Sequence, residues 1–445
     1  MPNGLPRGGT RQRRGLRYGW PLDLLFYGYP VWWVLGIHAF VWQLAAIALA
    51  GRLIVQRRFI RVPRGFGIWL LFLCWLLASS SGLERSSQFG PFAYRVSLYL
   101  SATMFLLFAM NAPKELLPLR RIYGMMAVFF VTVVAGGWLG VLLPRGGFTS
   151  VLELVLPDSL ADNGFIQPLI HPQFAQVQTF LGYPLGRPQA PFAFTNHWGS
   201  AYALLVPLVV LGWARMRRTN PLAAQLLLVV SLVPAIVSVN RGMFLSLAIA
   251  LLYASLRKGR MAASARRFVG GLVVIIVVLL VLTPLGGLVA TRSENGNSNE
   301  GRGTLYNQAV EYTNQRPLLG YGGPQEVKGN RLLPLVGTQG HFWMVMISTG
   351  YVGLGLFLAF LFQLTRLTRK VPQRVTVCHL LLVIVFVQMF VYDLIIAPFQ
   401  IVFLCVGIAL REAEDDRSAA AFDTPEEEPL RTGTTPIGHR PSLGT

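Results

Sequence analysis

Three residues have the type and setting to act on an anionic substrate: Arg241, Arg302 and His341. Arg241 lies in SVNRGMF, where one apolar run ends and the next begins with almost no loop. An arginine this close to hydrocarbon is costly unless it faces a cavity or meets an anion. The alternative is a guanidinium that snorkels to the interface. Arg302 opens GRGTLYNQAVEYTNQRP, in which Leu305, Tyr306, Ala309 and Tyr312 or Thr313 recur at helical spacing until Pro317. The spacing predicts a short amphipathic helix with Arg302 at its N-terminal end. There, free N–H groups and the dipole favour anions, and a guanidinium adds bidentate phosphate contact. His341 closes the same polar stretch, Thr291 to His341, at the mouth of an apolar run. It is a general-base candidate near neutral pH, with a structural role as the alternative.

Four further residues are candidates for substrate contact. Arg187 precedes the Pro-rich turn of RPQAPFAFTNHWGSAYALLVP, and Asn196 sits where the next apolar run begins, a position where it can also cap a helix. Arg316 belongs to the polar stretch, and Glu311 is its alternative carboxylate base, with Glu326 less well placed. His171 and His197 read as structural. Asp158 and Asp162 are the nearest approach to paired carboxylates and lack further partners. There is no DxD, no His/Cys metal spacing, no GxxxxGK[ST] and no GxSxG. No metal site and no cofactor is expected. The cysteines, Cys74, Cys378 and Cys405, lie apart in apolar runs and read as small core residues.

What must position these residues is a membrane scaffold. The 445 residues are 53% hydrophobic and only 13% charged, and the mean hydropathy is +0.51. A soluble domain carries roughly a quarter charged residues. Runs long enough to span occur at 21–36, 37–55, 66–83, 92–111, 122–143, 197–213, 222–238, 241–256, 268–290, 342–364, 375–391 and 394–410. The expected fold is therefore an all-α polytopic membrane protein with about twelve transmembrane helices. The first run is the weakest, being short and holding Asp23 and Pro30.

Charge orients this scaffold. With the N-terminus inside, most of the 39 Lys and Arg fall in the tail before 21, the turns at 52–64, 112–121, 214–221, 257–267 and 365–374, and the C-terminal tail. Dropping one span would put half of these turns on the wrong side. The pattern predicts an even number of spans and both termini cytoplasmic. It also absorbs most of the net charge of +20, and without an aromatic-interleaved basic patch no nucleic-acid partner is expected. Residues 144–196 and 291–341 become long outer segments carrying short amphipathic helices, and loops this long are functional or disordered. Residues 1–20 read as a basic cytoplasmic tail and 21–410 as the membrane domain. Residues 411–445, acidic and then rich in Pro, Gly and Thr, read as a disordered tail.

Four pieces in this order resemble the O-antigen ligase/polymerase superfamily of bacterial membrane glycosyltransferases. They are RPQAPFAFTNHWGSAYALL, the Arg-Gly of SVNRGMFLSLAIALLYA, GRGTLYNQAVEYTNQRPLLGYG, and the histidine of GHFWMVMISTGYVGLGLFLAFL. They cover roughly residues 180–365. The resemblance implies an enzyme of cell-surface polysaccharide assembly in the bacterial cytoplasmic (inner) membrane, with its active site facing outward. It would move a glycan from undecaprenyl diphosphate to a hydroxyl of a glycan or lipid acceptor, without a metal. Arg241 and Arg302 would then hold the diphosphate, His341 would be the base or position the acceptor, and Arg187 would add to the donor site. Two positions depart from the pattern. Asn240 stands where many members have serine, and Tyr306 where a tryptophan is frequent.

The resemblance does not separate a ligase, which passes on a complete glycan, from a polymerase that joins repeat units. A transporter or flippase is the reading from another class. It calls for ionisable groups deep in the spans and a two-halves repeat. Asp23 and Asp393 lie near span ends instead, and no repeat is visible.

Overall fold

A computed structural model describes residues 17–55, 59–179, 184–212, 221–257, 297–327, 335–394 and 396–422. The expected span at 268–290 lies outside the described residues, as do Arg292, Lys328, Arg331 and the side chain of Arg302.

The chain is mostly helical. A segment in lipid must close its backbone hydrogen bonds within itself, and a helix does so. In chain order the helices are α1 (Trp20–Tyr27), α2 (Tyr29–Val34), α3 (Val41–Val55), α4 (Phe66–Ala78), α5 (Phe89–Asn111) and α6 (Leu119–Leu142). Then come α7 (Val151–Val155), α8 (Asp158–Ala161), α9 (Gln167–Ile170) and α10 (Thr195–Pro207), followed by α11 (Pro221–Val237), α12 (Arg241–Leu256) and α13 (Asn297–Gln315). The last are α14 (His341–Thr368), α15 (Thr376–Gln388) and α16 (Pro398–Phe422). Among the described residues, three helices are long and apolar enough to cross a membrane: Ser86–Asn111, Leu119–Leu142 and His341–Thr368. At 1.5 Å per residue, the 23 residues of α5 reach about 34 Å, against a hydrocarbon core of about 30 Å.

Three expectations are corrected. The run at 21–36 is not one continuous helix. It breaks at Gly28 into helices of 8 and 6 residues, because Pro30 favours a new first turn, and Asp23 is held by Arg121. The segment 144–196 contains, besides short helices, an antiparallel hairpin of β1 (Ala175–Thr179) and β2 (Pro184–Pro188), with Gln176 opposite Arg187. In AQVQT, Gln176 and Gln178 share one face, the two-residue period of a strand. The chain after 411 begins as helix, since α16 continues to Phe422. Arg411 is buried there and donates to the carbonyls of Ala112 and Leu117, both at 3.1 Å, and Glu412 accepts from Arg374 Nε at 2.7 Å. Acidic residues that read as a loose tail instead dock on the basic turns: Lys114 reaches Asp415 at 3.0 Å and Arg61 reaches Glu414 at 3.5 Å. The turns at 59–64, 112–118 and 372–375 thus gather at one end of the bundle.

Between apolar helices in lipid, packing and polar contacts hold the bundle, since tails are as apolar as leucine. Trp69 stacks on Phe360 at 4.8 Å and donates to Thr103 Oγ1 at 2.8 Å. Gln388 of α15 joins Ser200 of α10 (2.6 Å) to Ser246 of α12 (3.1 Å). Such bonds contribute about 0.6 kcal/mol each in a bilayer.

The feature that most shapes the functional end is a break in α14. Gly350 has φ 69°, and this frees the carbonyls before it. Tyr321 N–H donates to Ile347 O and Gly322 N–H to Ser348 O, each at 2.9 Å, while Tyr351 N–H donates to Pro317 O at 2.8 Å. The turn LLGYGG is therefore inserted into the broken helix.

Candidate functional site

A cavity of about 1460 Å³ lies where α5, α10 and α14 begin. The basic turns lie at the opposite ends of α5 and α14. Its walls include the first two turns of α5, the first turns of α10 and α14, the hairpin, part of α13, the loop 321–326 and Asp393.

Arg95 projects from the second turn of α5. It is buried, lines the cavity, and donates to Ser348 Oγ (2.9 Å) and Gly322 O (2.8 Å). The turn inserted at the break brings Gly322 to Ser348, since Gly322 N–H donates to Ser348 O. Among the described residues no carboxylate lies within ion-pair distance of Arg95. A buried guanidinium bonded to neutral acceptors gains most from meeting an anion.

Arg187 reaches the same cavity from β2. Its Nε donates to Ser238 O at 2.7 Å, its Nη1 to Gln178 Oε1 at 3.0 Å, and its Nη2 to Asn240 Oδ1. Asn240 is itself buried and donates to Thr195 O at 3.0 Å. The residue that departs from the family pattern thus clamps Arg187 to the start of α10. Next to it, Gly242 allows α12 to approach the loop after α15: an added Cβ would meet Val391 Cγ2 at 2.6 Å. Beside it, Met243 N–H donates to Tyr392 Oη at 2.9 Å.

Asp393 and His341 form the third part. The His341 side chain is 0% exposed, whereas Asp393 is 26% exposed and lines the cavity. His341 Nδ1 lies 3.1 Å from Asp393 Oδ1, and Nε2 lies 2.8 Å from Tyr99 Oη. The ring packs between Phe357 and Phe399, at 5.3 and 4.9 Å. His341 N–H also donates to Tyr392 O at 2.8 Å, which fixes the loop carrying Asp393. Both ring nitrogens are thus engaged, and the group that reaches the cavity is the carboxylate.

The remaining expected residues fall differently. Asn196 lines the cavity but does not cap α10, whose N-cap position is Phe194. Arg316 lines it too, bonded to Glu84 Oε1 at 2.9 Å and lying over the Tyr321 ring at 4.5 Å. Beside it Arg85 pairs with Glu326, a hydrogen bond that raises the arginine's pKa further. These two pairs tie the connection before α5 to the inserted turn. Glu311 is exposed on α13 and is not among the cavity residues. Arg241 is exposed at the start of α12, beside Asn240, and is likewise not in the cavity wall. Arg302 does not begin its helix: α13 starts at Asn297, so the free N–H groups of the first turn lie before it. Tyr306, in place of the frequent tryptophan, stacks on Trp343 at 4.4 Å and fastens α13 to α14.

Arg95, Tyr99 and the role of Asp393 escape a reading of the sequence. A signal existed for two of them. Arg95 is a charge inside an apolar run, and Asp393 is the lone charge between two others, the argument already applied to Arg241.

Taken together, the walls offer buried guanidinium groups for an anion and a carboxylate, backed by an imidazole, for a proton. Residues 226–345, just over a quarter of the chain, match the family described as O-Antigen ligase. The match bears out the resemblance to that superfamily and points to ligase- or polymerase-type glycosyl transfer. It takes in Arg241, Arg302, Glu311, Arg316 and His341; Arg95, Arg187 and Asp393 lie outside it. No protein of curated function matches the chain.

Proposed function

We propose that this chain is an O-antigen-ligase-like glycosyltransferase of the bacterial inner membrane. It would have about twelve spans, with both termini cytoplasmic and the cavity facing outward. Its donor is a glycan on undecaprenyl diphosphate, and its acceptor is a hydroxyl of a glycan or lipid in polysaccharide assembly. One observation carries this reading: Arg95, Arg187 and Asp393 line a single cavity, with His341 directly behind the carboxylate.

The chemistry follows from those groups. The acceptor O–H gives its proton to the Asp393 carboxylate as its oxygen bonds to the anomeric carbon. The bond from that carbon to the diphosphate oxygen breaks, and its electron pair leaves with the diphosphate. Guanidinium groups aimed at that oxygen stabilise the charge as it develops. Arg95 and Arg187 supply them from the wall, and we assign Arg241 and Arg302 to the diphosphate as further contacts. His341 acts through Asp393 as a positioning residue, and Tyr99 holds its far nitrogen. Nothing in this sequence of events calls for a metal.

The test is transfer by the purified protein in nanodiscs, supplied with undecaprenyl-diphosphate oligosaccharide and separate acceptors. The reading expects a transferred glycan and released undecaprenyl diphosphate. Elongation of the carrier-bound chain marks a polymerase, and transfer to another acceptor marks a ligase. No transfer from this donor to any acceptor overturns the proposal.

A further inference from the structure

Three residues of the cavity wall each carry a buried polar atom with no hydrogen-bond partner among the described residues: Thr195 Oγ1, His197 Nδ1 and Gln339 Oε1. Thr195 and His197 are buried within the first turn of α10. Gln339 stands two residues before His341, and its amide nitrogen is already committed to Leu335 O (3.1 Å) and Thr338 Oγ1 (3.0 Å), which leaves its oxygen without a donor. Buried polar groups are satisfied in native proteins, and each one left unmade costs about 1–3 kcal/mol. Three such atoms in residues of one cavity wall call for a ligand.

The chemistry of that ligand can be read from the atoms. An amide oxygen needs a donor, an imidazole nitrogen takes either role with its tautomer, and a threonine hydroxyl does both. A sugar hydroxyl donates and accepts, so it meets each of the three. A lipid tail would meet none. The position is also defined. Thr195 O is bonded to Asn240, which holds Arg187, so the first turn of α10 adjoins one guanidinium. Gln339 leads into the His341–Asp393 pair.

Resting on the glycosyl-transfer reading, we infer that Thr195, His197 and Gln339 form a hydroxyl-binding subsite for the sugar ring beside the transferred bond. It reads the hydroxyl pattern of the donor glycan, whereas the arginines read its diphosphate.

The experiment uses Thr195→Val and Gln339→Met in the full-length protein. Because Thr195 Oγ1 has no hydrogen-bond partner among the described residues, an isosteric valine leaves the melting temperature unchanged or raises it. The expected result is a roughly tenfold weaker KM for the undecaprenyl-diphosphate oligosaccharide in each variant, with kcat changed less. A second arm measures binding of the free oligosaccharide, without lipid or phosphate. It weakens in both variants but not in Arg95→Lys. If wild-type protein transfers no glycan yet the free oligosaccharide binds and the variants lose it, the subsite stands and the transferase reading falls. If KM and oligosaccharide binding both stay within twofold of wild type in folded variants, the three atoms hold only water and the inference is overturned.

Discussion

Asp393 screens His341 from the cavity: the imidazole Nδ1 lies 3.1 Å from the carboxylate Oδ1, and its far nitrogen is bonded to Tyr99. The pair has a partly exposed member and a buried one, and we expect the work to divide accordingly. Asp393→Asn keeps the shape and removes the base. We expect kcat for transfer to fall by roughly 10²–10⁴, with donor affinity little changed. His341→Gln is expected to lower kcat less than Asp393→Asn does. Single-turnover transfer with purified variants checks the order; an inactive His341→Gln beside an active Asp393→Asn reverses the assignment.

Arg95 is expected to bind the donor's diphosphate. Arg95→Lys keeps the charge but loses the fork that reaches both Ser348 Oγ and Gly322 O. Affinity for the undecaprenyl-diphosphate donor should fall by about tenfold or more, an effect of about 1.4 kcal/mol. Equilibrium binding of donor to the variant in nanodiscs measures this, and unchanged affinity removes Arg95 from the donor site.

The break in α14 is expected to be required for the fold of the functional end. Gly350 has φ 69°, and an added Cβ would meet Leu318 O at 2.4 Å. Gly350→Ala should destabilise by at least about 1–3 kcal/mol. It should also loosen the inserted turn that carries Gly322. Hydrogen exchange at the Tyr321 and Gly322 amides, bonded to Ile347 O and Ser348 O in the wild type, is the direct readout. Full protection in the variant contradicts the account.

At the other end of the bundle, Arg374 holds the Asp416 carboxyl below its usual range through a hydrogen bond and charge attraction. A carboxylate with a depressed folded pKa contributes stability that is present above its unfolded pKa, and that stability is lost as pH falls through the folded value. Docking of the end of α16 should therefore weaken only in acid, below the ordinary aspartate range. Asp416→Asn should abolish that part of the acid dependence while leaving neutral-pH transfer unchanged. Limited proteolysis near residue 416, followed across pH, tests both statements.

The chain determined its class by itself. Long apolar runs with few charges leave helices in a bilayer as the available solution, and basic turns recur at alternate ends of those runs. The observed α5, α6 and α14 lie close to the runs that announced them, because a local apolar pattern is what makes such a helix. The order of Arg241, Arg302 and His341 was also legible, since a motif is a property of sequence. What the order could not reveal was which atoms meet. Asp393 stands 52 residues from His341, Tyr99 stands 242 away, and Arg95 meets Ser348 across 253. Those distances close only when α5, α14 and the loop before α16 pack together. The break at Gly350 is equally tertiary, because its freed carbonyls are useful only once LLGYGG is inserted. Residue types thus offered candidates for an anion contact and a base, and packing decided which arginines line the cavity and that Asp393, rather than His341, lines it.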